Sequence, residues 1–108
     1  MITEHTLTVA LSMSEKIQTM QWNLKVPRWA VVGARTVADG MAEVRGVLGS
    51  GTEVPGVMML GKLAHQGTVT FVICRGHLPA VVIDLSGQAF DRLLLTMADP
   101  DAAIVGLI

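Results

Sequence analysis

Charge is scarce in this chain. Asp, Glu, Lys and Arg make up 16% of its 108 residues, against about 25% in an ordinary soluble domain. The eight basic residues are scattered and the formal net charge is −1. That leaves no clustered Lys and Arg for a polyanion, so nucleic acid is not an expected partner. A single cysteine, Cys74, excludes an intramolecular disulfide and a cysteine-based zinc cluster. It is expected as a small apolar residue in a strand. There is no tyrosine, and Trp22, Trp29, Phe71 and Phe90 are the aromatic residues. Long apolar runs are missing too. The longest interval without a charged side chain, 63–74, contains His65, Gln66 and Gly67, and a spanning helix needs about 20 mostly apolar residues. The segment MITEHTLT shows neither the basic start nor the apolar stretch of a signal peptide. The expectation is one cytoplasmic domain over 1–108 with no membrane span.

What the chain has is hydrophobicity, at 51% of residues, arranged with a period of two. Leu7, Val9 and Leu11 alternate with Thr6, Thr8 and Ala10, and Val69, Phe71 and Ile73 with Thr68, Thr70 and Val72. Val81, Ile83 and Leu85 form a third series, and Leu93, Leu95 and Met97 a fourth. Such alternation predicts strands with one face on a core. Segments 22–26, 30–37 and 57–63 read as further strands. Gln66 and Gly67 have the spacing of a two-residue hairpin loop. Residues 13–20 suit two helical turns capped by Ser12 or Ser14, and 39–47 a short helix or irregular turn. Asp99 as N-cap, Pro100 at the first helical position and Asp101 in the first turn predict a C-terminal helix, with Ala103, Ile104, Leu107 and Ile108 on its apolar face. The expected fold is mainly β: about seven antiparallel strands in a barrel or sandwich, closed by a C-terminal capping helix.

Three segments carry a family resemblance: TLTVALSMSEKIQTMQWNLKVP, GTEVPGVMMLGK and AVVIDLSGQAFDRLLLTMADPDAAI. The matching features are a strand ending in Val26 and Pro27, the Gly51-Thr52-x-x-Pro55-Gly56-Val57 segment, the strand start Asp91-Arg92-Leu93 and the closing Asp99-Pro100. Together they resemble small uncharacterised bacterial proteins with a pleckstrin-homology-like (PH-like) fold. The resemblance implies that architecture, and it implies an anion contact at an open barrel end. Lys16, Lys25 and Arg28 would flank that end. A solvated surface is the plainer reading of these three residues, because Glu15 offsets one of them.

GVMMLGKL, residues 56–63, comes close to the phosphate-cradling pattern G-x-x-x-x-G-K-[ST]. It fails where the chemistry is decided: Leu63 replaces the metal-binding hydroxyl, the interior is apolar, and a hairpin turn follows instead of a helix. GSGTEVPG, residues 49–56, has Val54 where a dinucleotide fingerprint needs its third glycine. Its Gly51, Pro55 and Gly56 read as the approach to a strand. His5, His65 and His77 match no zinc spacing and read as solvated turn residues. Cys74 and His77 lack an orienting third group for nucleophilic catalysis. Asp84, interrupting an apolar strand, is expected to face water.

No catalytic residue, cofactor or metal site is therefore expected, and the chain is not expected to be an enzyme. Scarce charge and seven methionines point to covered surface. Trp22, Trp29, Met58 and Met59 are the candidate interface residues. The expected function is an interaction module that self-associates or docks a protein. The alternative is a binding domain for a small apolar or anionic ligand, or a lipid headgroup, at the open barrel end.

Overall fold

The structure, a computed structural model, describes residues 6–9, 24–44, 46–97 and 99–101. Eight strands lie among the described residues. β1 (Thr6–Val9) and β2 (Leu24–Pro27) pair antiparallel as a two-stranded sheet. A 3-10 turn, Arg28–Ala30, leads into β3 (Val31–Val37). A second one, Gly40–Glu43, precedes β4 (Val47–Val54). Then follow β5 (Met58–His65), β6 (Thr68–Arg75), β7 (Ala80–Leu85) and β8 (Arg92–Thr96). The last six strands form one sheet in the order β3-β7-β8-β6-β5-β4.

This sheet corrects two expectations. It is open, with β3 and β4 at its edges, rather than closed into a barrel. It is also mixed, because β8 lies between β6 and β7 and runs parallel to β6. The reason is burial on both faces. The runs Val81-Val82-Ile83 and Leu93-Leu94-Leu95 are buried without alternation, as central strands covered on both sides should be. Placing β8 at the sheet centre hides all three of its leucines. Asp91 fixes the insertion. Its N–H donates to Val69 O at 2.8 Å, its Oδ2 accepts from Val69 N–H at 2.8 Å, and its O accepts from Leu85 N–H at 2.9 Å. One residue thus ties the start of β8 to β6 and to the end of β7.

Two cores result. The first face gathers Leu60, Phe71, Ile73, Val81, Ile83, Leu93 and Leu95 under Val26, Ala30 and Phe90. Phe71 meets Phe90 with ring centroids 5.2 Å apart. The second face gathers Met59, Leu63, Val72, Cys74, Ala80, Val82 and Leu94 under Met41 and Val44, with Leu48 of β4 packed against them. Each fully buried large side chain contributes about 1.5–3 kcal/mol. The 3-10 turn covering the second face is held by Asp39, whose Oδ1 accepts from the N–H groups of Met41 and Ala42.

The glycine-rich stretch 49–54 is strand, not an approach to one. β4 shows no hydrophobic alternation because it is an edge with a register shift between Leu48 and Ser50. The turn falls at 54–57, closed by Val57 N–H to Val54 O at 2.9 Å. Gly51 faces Gly61 across β4 and β5, with φ of 134° and 149°. A Cβ at Gly51 would drive into the Leu60 carbonyl and come within 2.7 Å of Gly61 Cα. Two glycines let the backbones meet here. The hairpin at Gln66 and Gly67 forms as expected, both residues having positive φ.

Residues 100 and 101 are helical. The remainder of the expected C-terminal helix, the 13–20 helix and Leu11 lie outside the described residues. No helix among the described residues is long and apolar enough to cross a membrane.

Candidate functional site: a polar cavity on the second face

Strand register brings together polar residues that are distant in sequence. Across the second face one row runs Gly33, Asp84, Arg92, Thr70, Leu63 and Leu48, each opposite the next on the neighbouring strand. The next row places Arg35 beside Val82, and Val82 beside Leu94. Above the apolar floor of Leu63, Val82 and Leu94 lies a cavity of about 270 Å³. Its walls carry Arg35 and Glu43 on one side and Arg92, Thr70, Thr68 and His65 on the other.

Each arginine is clamped by one carboxylate. Arg35 Nη1 donates to Glu43 Oε1 at 2.7 Å, joining edge strand β3 to the 3-10 turn. Arg92 Nε donates to Asp84 Oδ1 at 2.7 Å, directly across β8 and β7. Asp84 keeps part of its side chain in water, as expected, and also pairs with an arginine, a partner the sequence did not indicate. An acid in the middle of an apolar strand was the sequence signal for this pair, but nothing local named its partner.

A second polar group stands at the opposite end of the same face. His77 Nδ1 lies 2.7 Å from Asp39 Oδ2. The bond to His77 holds the Asp39 carboxyl below the usual carboxylate range, assisted by the N–H groups of Ala42 and Met41 against partial burial. A carboxylate only accepts, so His77 Nδ1 carries the proton. Cys74 lies close by, with Sγ 3.2 Å from where a Cβ on Gly40 would stand. An acid, an imidazole and a thiol in one neighbourhood invite comparison with a nucleophilic triad. The thiol does not answer to that role. Cys74 is fully buried, and burial pushes its pKa up to about 11, despite a hydrogen bond with Thr96. Nucleophilic cysteines require the opposite shift. Cys74 is thus the small core residue that the sequence implies.

The other candidates are placed as follows. Trp29 is 76% exposed, and Val32, three residues on, 66%. Met59 is 5% exposed within the second core, and Met58 is half-buried against the first. Trp22, Lys16 and His5 lie outside the described residues. Lys25 is in β2 and Arg28 opens the first 3-10 turn. Lys62, the lysine of the near phosphate loop, sits on the first face with Nζ 5.8 Å from the Phe90 ring centre. Among the described residues no three His, Cys, Asp or Glu converge to hold a metal. Compared with protein-family models, curated proteins and solved structures, the chain finds no match.

Proposed function

We propose that this protein is a non-catalytic interaction module that self-associates through the surface around Trp29 and Val32. The observation that carries this reading is the exposure of Trp29, in the 3-10 turn that leads into edge strand β3, and of Val32 near the start of that strand. Val32 is turned out by the register shift between Val31 and Gly33. Large aromatic rings in such positions are the usual anchors of interfaces. Both edge strands carry a register shift, which disfavours continuation of the sheet from one copy to the next. The contact is therefore made by side chains rather than by an added strand.

The magnitude is modest. Burying about 150–250 Å² at each ring supplies roughly 4–6 kcal/mol per copy, against an association cost of about 4–15 kcal/mol. The association is reversible and concentration-dependent. The PH-like assignment is held with this proposal on the sequence segments quoted above. The mixed, open sheet is a different arrangement from the antiparallel barrel that the resemblance implies.

Acrylamide quenching of a Trp22→Phe variant, which leaves Trp29 as the sole tryptophan, tests the proposal. Quenching should weaken as protein concentration rises. A quenching constant independent of concentration would remove the basis for it.

A further inference from the structure

We infer that the cavity on the second face binds a small amphipathic carboxylate, an organic acid with a short apolar tail. The inference is independent of self-association. Its volume of about 270 Å³ lies just under the range of about 300–1,000 Å³ that holds drug-sized molecules, so the ligand is smaller than those.

The lining has two halves of different chemistry. The floor of Leu63, Val82 and Leu94 is closed to within 1–2% exposure, so the apolar surface a tail would meet lies mostly on the carbon stems and methyls of the wall residues. The walls offer two guanidinium groups, each paired with one carboxylate, Arg35 with Glu43 and Arg92 with Asp84, so an anion would be held by the N–H donors left over rather than by an excess of positive charge. Arg92 engages Asp84 through Nε alone, so its terminal pair of Nη groups makes no hydrogen bond to another described residue. That pair is the fork that takes a carboxylate through two parallel bonds. Arg35 likewise spends one nitrogen on Glu43 and keeps the others. The existing pairs hold both side chains in place before a ligand arrives, which lowers the ordering cost of binding. Thr68 and Thr70 add hydroxyls that donate or accept.

An anion without a tail would leave the apolar part of the walls uncovered, and a tail without an anion would leave the arginine forks unmatched. Isothermal titration of the full chain with hexanoate, hexan-1-ol and inorganic phosphate separates these cases. Hexanoate should saturate one site, with hexan-1-ol and phosphate each at least tenfold weaker. Arg92→Met, and independently the more exposed Arg35→Met, should each weaken hexanoate by about tenfold or more. Arg92→Lys, which keeps the charge but loses the fork, should recover only part of the loss. Far-UV circular dichroism of every variant checks that the sheet is intact, and Arg35→Met decides the matter should Arg92→Met disturb it. Absence of hexanoate binding would overturn the inference. So would phosphate binding as tightly as hexanoate, or hexanoate affinity unmoved in both methionine variants.

Discussion

Replacing Gly51 by alanine should be among the most damaging conservative changes in this chain, and the structure says by how much. Gly51 occupies φ 134°, where an L-residue is strained, at a cost of about 1–3 kcal/mol. The added Cβ would also enter the Leu60 carbonyl and crowd Gly61 Cα at 2.7 Å. Both obstacles are backbone, so relief requires β4 to move away from β5. Losing a ladder hydrogen bond in the process adds about 1 kcal/mol. A total near 3 kcal/mol is a large share of the roughly 5–15 kcal/mol that holds a domain folded. Gly56→Ala is the matched control. Gly56 also has positive φ, 74°, but nothing lies within 4 Å of its missing Cβ. It should cost about 1–2 kcal/mol in strain, partly offset by a stiffer unfolded chain. Urea unfolding followed by circular dichroism reads the difference. With a slope of about 1–3 kcal/mol per molar, Gly51→Ala should lower the midpoint by roughly 1–3 M, and Gly56→Ala by much less. Equal shifts in the two variants would refute the close backbone contact and the account of this glycine pair.

Two further outcomes follow from the Asp39 and Cys74 neighbourhood. Asp39 has a lowered folded pKa, so the stability it contributes is present above its unfolded value near 3.9 and is lost as pH falls through the folded value. Stability measured against pH should therefore decline in acid more steeply for the native chain than for Asp39→Asn, and parallel curves would contradict the His77 pairing. Cys74, with its thiol raised to about 11 by burial, should react with Ellman's reagent at pH 8 only as fast as the chain opens. Rapid labelling of the folded protein, unchanged by urea, would show the thiol to be accessible.

Much of this fold was legible in the residues because period two survives wherever a strand has one dominant face. β5, β6 and their Gln66-Gly67 turn follow from pattern and turn chemistry alone. β4 did not show itself. Its edge position, its register shift and its paired glycine leave GSGTEV without alternation, and the same letters suit a loop. The place of β8 was also hidden, although Leu93, Leu94 and Leu95 in succession signal a strand buried on both faces. What puts it beside β6 is Asp91, bonded to Val69 at a separation of 22 residues, and no local pattern reports such a pairing. The cavity was illegible for the same reason. Arg35, His65 and Arg92 belong to three different strands, and only the register of the folded sheet lets them share a wall. Asp84 was the one visible trace, an acid where an apolar residue was due. The apparent phosphate loop, by contrast, resolves into local structure: Gly56 in a turn, Gly61 against Gly51, and Lys62 over Phe90.

The proposal of self-association turns on Trp29, and sedimentation velocity across a hundredfold range of concentration measures it directly. The native chain should shift from the 11.5 kDa monomer toward twice that mass as concentration rises, and Trp29→Ser should stay monomeric throughout. A native chain that remains monomeric at every concentration, or a Trp29→Ser variant that associates equally well, would contradict the account.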